Sequence, residues 1–125
     1  EATIRAAREN FDRRIVAVFQ PHRYTRTRDL HERFGPAFRD ADELFITDIY
    51  AAGERPIAGV TGELVYRAVV REGKPRVSYV PVWRDLLKAV QESVRPGDLV
   101  ITLGAGNIYK LAEKLLGKRE TVKAR

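Results

Sequence analysis

The sequence predicts one α/β domain with a doubly wound, mainly parallel sheet of four or more strands flanked by helices. Its length of 125 residues is that of a single compact domain. Four short apolar runs alternate with longer segments of helical period, and strands joined by helical crossovers form parallel sheets. Apart from Ser78 the runs are apolar without alternation, as expected for strands covered on both faces. The expected fold is therefore Rossmann-like.

The four predicted strands are Ile15–Phe19, Leu44–Thr47, Val77–Val80 and Leu99–Leu103. Each run is rich in β-branched or aromatic residues, which favour a pleated, buried surface. Connections in such folds are short and right-handed, so consecutive strands tend to lie beside one another. We expect the strand order 3-2-1-4.

Five helices are predicted around these strands. The first covers Ala2 to Glu9, and the others follow the four strands. Thr27 is expected to cap the second helix and Thr61 the third, which ends near Gly73, while Gly117 is expected to end the fifth. Their apolar faces are Leu30, Phe34, Ala37, Phe38 and Ala41 in the second helix; Leu64, Val65, Ala68 and Val69 in the third; Trp83, Leu86, Leu87, Val90 and Val94 in the fourth; and Ile108, Leu111, Ala112 and Leu115 in the fifth.

Composition narrows the classes of function. The sequence has no cysteine, which removes disulfides and thiolate chemistry and suits a cytoplasmic location. Its longest apolar run, Ile15–Phe19, is far below the roughly 20 residues that span a bilayer, so no membrane partner is predicted. The net charge is +6, which favours anionic partners. A nucleic-acid partner is not predicted, because the sequence shows neither an aromatic-rich strand nor a basic recognition helix.

The expected organisation is one domain over residues 1–117 followed by a basic C-terminal tail over residues 118–125. The chain opens on Glu1-Ala2-Thr3, with neither a starting Met nor the pattern of a signal peptide. We therefore expect it to be a piece of a longer protein.

The loop after the first strand, Gln20 to Thr27, is the main candidate for chemistry. It contains His22, Arg23 and Arg26 directly before a predicted helix. A helix N-terminus supplies unpaired N–H groups and a partial positive charge, which the two arginines would strengthen. The loop therefore predicts a phosphate or carboxylate site. The alternative is that these arginines only pair with surface acids.

Two further loops follow strands and would meet the first at one edge of the sheet. The loop Thr102–Asn107 has two glycines that allow close approach of a ligand, but it lacks both the third glycine of a dinucleotide fingerprint and the Gly-Lys-Ser/Thr of a Walker loop. No nucleotide-hydrolysis machinery is predicted in this chain. In the loop after the second strand, Asp48 is predicted either to meet a substrate amine, a metal or an arginine, or to cap the strand end.

Three strings of the sequence resemble the C-terminal domain of the Mur ligases: Val18–Thr27, Thr47–Glu54 and Leu103–Gly106. The resemblance runs from about Glu1 to Leu116. It implies a Rossmann-like third domain of an ATP-dependent amide-bond ligase of peptidoglycan synthesis. The substrates it implies are UDP-N-acetylmuramate and L-alanine, with the sugar nucleotide bound by an N-terminal domain and ATP with Mg²⁺ mainly by a central domain. The chain alone is expected to hold no metal and to be inactive.

The same resemblance implies roles for individual residues. Arg23 and Arg26 would hold the alanine carboxylate and the migrating phosphoryl group, and His22 would orient the acyl phosphate or the incoming amine. The substrate-binding residues implied are Arg23, Tyr24, Arg26, Asp48, Gly104, Ala105 and Gly106. The family usually has Asp where this sequence has Asn107, so the resemblance assigns no role to that side chain.

An alternative is a stand-alone anion-binding or signalling module of flavodoxin or receiver type. A receiver requires a cluster of acids at the end of the first strand together with a phosphoacceptor Asp. This sequence places Arg and His at that position, which favours the ligase domain.

Overall fold

The computed structural model describes residues 2–115 and 120–124, with side chains over residues 3–114. Helices and strands alternate along the chain as predicted, and two 3₁₀ turns follow the second helix. Their order is α1 (Ala2–Asn10), β1 (Ile15–Phe19), α2 (Tyr24–Leu30), two 3₁₀ turns (His31–Phe34 and Pro36–Phe38), β2 (Glu43–Ile46), α3 (Glu63–Glu72), β3 (Arg76–Tyr79), α4 (Trp83–Ser93), β4 (Leu99–Leu103), α5 (Tyr109–Leu115) and β5 (Glu120–Ala124).

The strands form one parallel sheet in the order β3-β2-β1-β4-β5. The predicted order 3-2-1-4 and the predicted α/β fold class are therefore confirmed. In the register of the sheet, Val18 of β1 lies opposite Phe45 of β2 on one side and Thr102 of β4 on the other. β2 and β3 lie on one side of β1, whereas β4 and β5 lie on its other side. The carboxyl ends of β1 and β4 therefore form the topological switch point, where ligands bind in such folds.

Both faces of the sheet are buried, which accounts for the apolar runs in the sequence. Alternate residues of β1 point to opposite faces. Ile15 and Phe19 join a cluster with side chains from α1, the 3₁₀ turns and α3. Val16 and Val18 join a second cluster with side chains from α4 and α5. Every residue of β1 and β4 is buried, so the two central strands form the middle of the core.

The second predicted helix differs from the prediction in both its start and its continuity. It begins at Tyr24, one turn earlier than expected, and Thr27 lies inside it instead of capping it. The Thr27 hydroxyl donates a 2.8 Å hydrogen bond to the Arg23 carbonyl, four residues back. Beyond Leu30 the chain continues as 3₁₀ turns on both sides of Gly35, because Pro36 has no N–H to continue an α-helix.

The remaining helices follow the predicted apolar faces, but the N-cap of α3 is Gly62, one residue after the predicted Thr61. α3 begins at Glu63, whose N–H donates a 3.2 Å hydrogen bond to the Thr61 hydroxyl. It ends at Gly73, which takes φ 80, a left-handed conformation that favours glycine. α4 ends before Pro96 and buries Leu86 and Val90. The predicted stop of the fifth helix at Gly117 lies outside the described residues.

A fifth strand is present where the sequence predicts a basic tail. Glu120–Ala124 pairs in parallel with β4, so this part of residues 118–125 extends the sheet. The physical reason is that β4 has an unpaired edge on the side away from β1, and an unpaired edge accepts another strand. The segment Glu-Thr-Val-Lys-Ala contains two charged residues, so it does not form the apolar run by which the other strands are predicted.

Candidate functional site

A cavity of about 250 Å³ lies at the carboxyl ends of β1 and β4. Its walls come from the loop after β1, the start of α2, the first 3₁₀ turn and the loop after β4. The lining residues are Phe19, Gln20, His22, Arg26, Thr27, Phe34, Leu103, Gly104 and Ala105. The cavity thus lies at the switch point of the sheet.

The lining combines an apolar floor with a cationic rim. Phe19, Phe34 and Leu103 supply the apolar surface, and the Phe19 and Phe34 rings pack with centroids 5.0 Å apart. Arg26 supplies a guanidinium, and none of the nine lining residues is acidic. A small molecule with a carboxylate or phosphate and a short apolar part matches such a lining, because Arg recognises oxyanions with two parallel N–H donors.

Two of the three predicted catalytic residues, His22 and Arg26, lie at this cavity. Arg26 lies in the first turn of α2, which holds it beside the glycine loop after β4. Its neighbour Thr27 is 1% exposed and contributes to the same wall. The structure therefore brings the loop after β1 and the loop after β4 together as the sequence predicts.

Arg23 lies outside the cavity wall and in an unusual backbone conformation. It takes φ 68 and ψ 145 as the residue that precedes α2. Its N–H donates a 2.8 Å hydrogen bond to the Tyr50 carbonyl, and its own carbonyl accepts the Thr27 hydroxyl. Non-glycine residues at positive φ are strained by about 1–3 kcal/mol and occur mainly where function requires them.

The first two N–H groups of α2 are already paired, which the sequence does not reveal. Glu54 Oε1 accepts hydrogen bonds from the backbone N–H of Tyr24 at 2.5 Å and of Thr25 at 3.1 Å. Glu54 Oε2 accepts the Thr25 hydroxyl at 2.6 Å. The predicted free anion site at this helix start is thus filled by a carboxylate of the chain itself. Tyr24 contributes its backbone to this cap.

These bonds lower the pKa of Glu54 below its ordinary value. The hydrogen bond from the Thr25 hydroxyl is the largest cause, and burial opposes it. The backbone N–H groups of Thr25 and Tyr24 and the nearby Arg23 charge lower the pKa further. The carboxylate form of Glu54 therefore ties the loop after β2 to the start of α2.

Asp48 also binds the backbone of its own loop. Its Oδ1 accepts the N–H of Ile49 at 2.8 Å and the N–H of Gly62 at 3.0 Å. The pKa of neighbouring Tyr79 is raised, chiefly by burial of its hydroxyl and also by the negative charges of Asp48 and Glu63. Asp48 does not line the cavity, and its observed contacts are those of a capping carboxylate.

The glycine loop after β4 divides into two parts. Gly104, at φ 152, and Ala105 line the cavity. A Cβ at Gly104 would lie 2.9 Å from the Gln20 carbonyl oxygen, so this close approach requires glycine. Gly106, predicted as part of the pocket, lies instead against the ring of Tyr50.

Gln20 links the two loops from within the protein. It is 6% exposed, and its Nε2 donates a 2.8 Å hydrogen bond to Asn107 Oδ1. Its Oε1 is buried without a hydrogen-bond partner in the described part of the chain. The Asp that the family usually has at this position offers the same kind of acceptor oxygen. Relative to that Asp, Asn107 keeps the acceptor and lacks the negative charge.

Across residues 2–115 and 120–124, none of the helices is long and apolar enough to pass through a membrane. Within the same ranges, no three His, Asp or Glu side chains are grouped so that they could hold a metal ion.

Comparison with known proteins identifies relatives over most of the chain. A family model described as "Mur ligase, glutamate ligase domain" matches residues 1–106. The chain is 54% identical over 120 residues to a UDP-N-acetylmuramate–L-alanine ligase of Anaeromyxobacter sp. (strain Fw109-5), covering 96% of this chain and 26% of the relative. Identity is 49% over 117 residues to the ligase of the same name in Geotalea uraniireducens (strain Rf4), covering 94% and 26%. It is 44% over 116 residues to that of Pelotomaculum thermopropionicum, covering 93% and 25%. The chain thus spans about a quarter of the length of these relatives.

Proposed function

The chain belongs to the Mur ligase family, and from that premise we propose that it is the C-terminal domain of a ligase that joins L-alanine to UDP-N-acetylmuramate in peptidoglycan synthesis. One observation carries the proposal: the cavity at the ends of β1 and β4 combines Arg26 and His22 with a small apolar floor and no acidic lining. Family membership favours this function over the alternative of a signalling module.

The proposed reaction forms an amide bond through an acyl phosphate. The muramate carboxylate accepts the γ-phosphoryl group of ATP and ADP is released. The amine of L-alanine then attacks the acyl carbon, and inorganic phosphate leaves as the amide forms. The amine of L-alanine must lose a proton during the attack, while the carboxylate of L-alanine stays bound in a fixed position. Holding the two reactants in one orientation supplies much of the rate, because it converts an encounter in solution into a reaction of neighbouring groups.

We assign the alanine carboxylate to Arg26. Arg26 lines the same cavity as Gly104 and Ala105 of the glycine loop, and Phe19 and Leu103 supply a small apolar surface for the methyl group. A volume of about 250 Å³ suits a small amino acid. His22, on the same wall, is assigned to orient the acyl phosphate or the attacking amine.

Arg23 is assigned to the acyl phosphate that the remainder of the ligase presents. Its side chain is exposed beyond the cavity wall, on the loop that also carries His22. Negative charge develops on the leaving phosphate, and a fixed cation stabilises it. Tyr24, Asp48 and Gly106 are assigned supporting parts, since their observed contacts hold the loops that form the cavity.

ATP and Mg²⁺ are assigned mainly to domains outside this chain. The part of the chain that the structure describes has no acidic cluster for a metal ion, so no step of the proposal passes through Mg²⁺ here. When bound, these groups supply the phosphoryl donor and neutralise its charge. We also place the intact protein in the cytoplasm, where ATP is available.

The test uses the intact ligase and compares two arginines of one helix. Arg26→Ala removes the guanidinium at the cavity, whereas Arg28→Ala removes an exposed guanidinium that pairs with Asp29. Phosphate release is measured with ATP, UDP-N-acetylmuramate and L-alanine. We expect Arg26→Ala to lower kcat/KM for L-alanine about 10²- to 10³-fold, because it leaves the alanine carboxylate in the cavity without its cationic partner. Arg28→Ala should retain the rate.

An Arg26→Ala enzyme with unchanged kcat and unchanged KM for L-alanine would contradict the proposal. The isolated 125-residue chain provides a second check under the same assay. It should release no phosphate above background, because the proposed reaction requires the remaining domains. Product from the chain alone would refute the assignment of the ATP site to those domains.

A further inference from the structure

Tyr50 is bound to the His22 loop through its backbone on both sides of the histidine. The Tyr50 N–H donates a 2.9 Å hydrogen bond to the Pro21 carbonyl, and the Tyr50 carbonyl accepts the Arg23 N–H at 2.8 Å. The two bonds form an isolated parallel bridge between His22 and Tyr50. The position of the His22 backbone is therefore fixed by the loop after β2.

The side chains of the two residues are in contact as well. The phenol ring of Tyr50 and the imidazole of His22 are nearly parallel, with an interplanar angle of 11° and centroids 6.0 Å apart. This is the separation of an offset stack. The stack with Tyr50 is therefore a contact that orients the plane of the imidazole.

The ring of Tyr50 is held from a second direction by the glycine loop. A Cβ at Gly106 would overlap Tyr50 Cγ and would lie 2.8 Å from Gln20 Oε1. Any side chain at position 106 would therefore push the phenol ring away. The lack of a side chain at Gly106 lets the loop after β4 support a ring that belongs to the loop after β2.

We propose that Tyr50 is a positioning residue, wedged between the Gly106 backbone and the His22 imidazole, which fixes the orientation of His22 for the ligase reaction. The inference rests on the proposed function of His22 at the cavity. Tyr50 itself does not line the cavity and remains 38% exposed. It acts on the reaction through the histidine, because a small change in the orientation of a reacting group lowers the rate strongly.

The kinetic test compares three variants of the intact ligase. Tyr50→Leu removes the ring, and we expect it to lower kcat by about tenfold while KM for L-alanine changes less than about twofold, since alignment rather than binding is lost. Tyr50→Phe keeps the ring without the hydroxyl and should restore kcat to within about twofold of the wild-type value. Tyr66→Leu is the matched control, because Tyr66 on α3 packs its ring against Tyr79 of β3 and does not line the cavity. It should retain the wild-type kcat.

A spectroscopic test on the 125-residue chain separates orientation from folding. The chain has only two histidines, so the proton resonances of His22 and His31 can be assigned and compared. The stacked phenol should shift the His22 ring protons, and this shift should be lost in Tyr50→Leu and retained in Tyr50→Phe. His31 Nδ1 lies within hydrogen-bond distance of the Thr27 and Arg28 carbonyls of α2. Its ring-proton resonances should not shift in these variants and serve as the internal reference.

Gly106→Ala should displace the Tyr50 ring from the His22 imidazole without any change at Tyr50 itself. The added methyl should push the phenol ring off His22, lower kcat to a similar extent and shift the His22 resonances. This variant also serves if Tyr50→Leu fails to fold.

The outcomes separate this inference from the proposed function. If His22→Ala leaves kcat unchanged, the assignment of His22 to the reaction is wrong. If His22→Ala lowers kcat but Tyr50→Leu and Gly106→Ala do not, the reaction assignment survives and the positioning role of Tyr50 is wrong. Equal losses in Tyr50→Phe and Tyr50→Leu would assign the effect to the hydroxyl and overturn the stacking argument.

Discussion

Gln20 Nε2 donates a 2.8 Å hydrogen bond to Asn107 Oδ1, and this bond joins the ends of the two central strands behind the cavity. Gln20 follows β1, and Asn107 lies in the glycine loop that follows β4. Gln20 is buried, and its Oε1 has no hydrogen-bond partner in the described part of the chain. The bond to Asn107 therefore supplies the acceptor for the buried Nε2 donor.

We predict that Asn107→Leu destabilises the domain by about 1–3 kcal/mol, since it leaves a buried amide donor without an acceptor. Asn107→Asp keeps an acceptor oxygen and should stay within about 1 kcal/mol of the wild-type free energy of unfolding. Urea denaturation of the three chains measures both values. If the Leu and Asp variants were equally stable, the hydrogen bond would have no part in holding the two loops together.

A second prediction concerns the backbone of Arg23, which takes φ 68. In most positions alanine is more stable than glycine, because glycine has more freedom in the unfolded chain. At positive φ the order reverses, so Arg23→Gly should be more stable than Arg23→Ala by about 1 kcal/mol. Thermal unfolding of the two variants decides the sign. An Ala variant that unfolds at the higher temperature would show that the backbone at position 23 is unstrained.

A third prediction concerns acid and Glu54. Its folded-state pKa is lowered from an ordinary value of 4.5, so its contribution to stability is complete above that value and is lost as the pH falls through the lower, folded-state pKa. Glu54→Gln should therefore unfold at a lower temperature than the wild type near pH 7. The difference should shrink as the pH falls below 4.5.

The comparison with Glu54→Gln isolates one carboxylate among several. The pKa of Asp42 is also lowered: burial raises it, but the Ile15 N–H and the Arg8 guanidinium outweigh burial. Asp42 is present in both chains, so its acid sensitivity cancels in the difference. A gap in unfolding temperature that stays constant from pH 7 to pH 3 would contradict the assigned role of the Glu54 carboxylate.

The central strands could be predicted from the sequence because burial on both faces leaves a continuous apolar run. β1 and β4 match the predicted strands Ile15–Phe19 and Leu99–Leu103 to the residue. Once their order is known, the switch point and the loops at the cavity follow from the topology. The placement of Arg26 near the glycine loop was predictable for this reason.

Contacts between loops were not predictable, because they depend on which loops the sheet brings together. Glu54 is 29 residues from Thr25 along the chain, and Gln20 is 87 residues from Asn107. No local pattern marks either pair. The break of the second helix is different, since Pro36 lies within the span of that predicted helix and a proline in a helix interior interrupts an α-helix.

At the amino-terminal ends of the strands, opposite the cavity, a partly buried ionic network surrounds Arg14. Its Nη1 lies 2.6 Å from Asp98 Oδ2, and its Nη2 lies 2.7 Å from Glu43 Oε1. The side chains of Asp98 and Glu43 are 6% and 13% exposed. Ser93 adds a hydroxyl that donates to Glu43 Oε1 at 2.7 Å. One guanidinium thus neutralises two carboxylates that water reaches poorly.

We predict that Arg14→Leu destabilises the domain by about 3–5 kcal/mol, because it leaves both carboxylates buried without a counter-charge. Arg14→Lys keeps one positive charge but cannot bridge two acceptors with a planar fork, so its free energy of unfolding should fall between those of the Leu variant and the wild type. Arg28→Leu is the control, since Arg28 and Asp29 form an exposed pair and its loss should leave the urea midpoint unchanged. If Arg14→Leu and Arg28→Leu gave the same midpoint, the network would be no more than a surface ion pair.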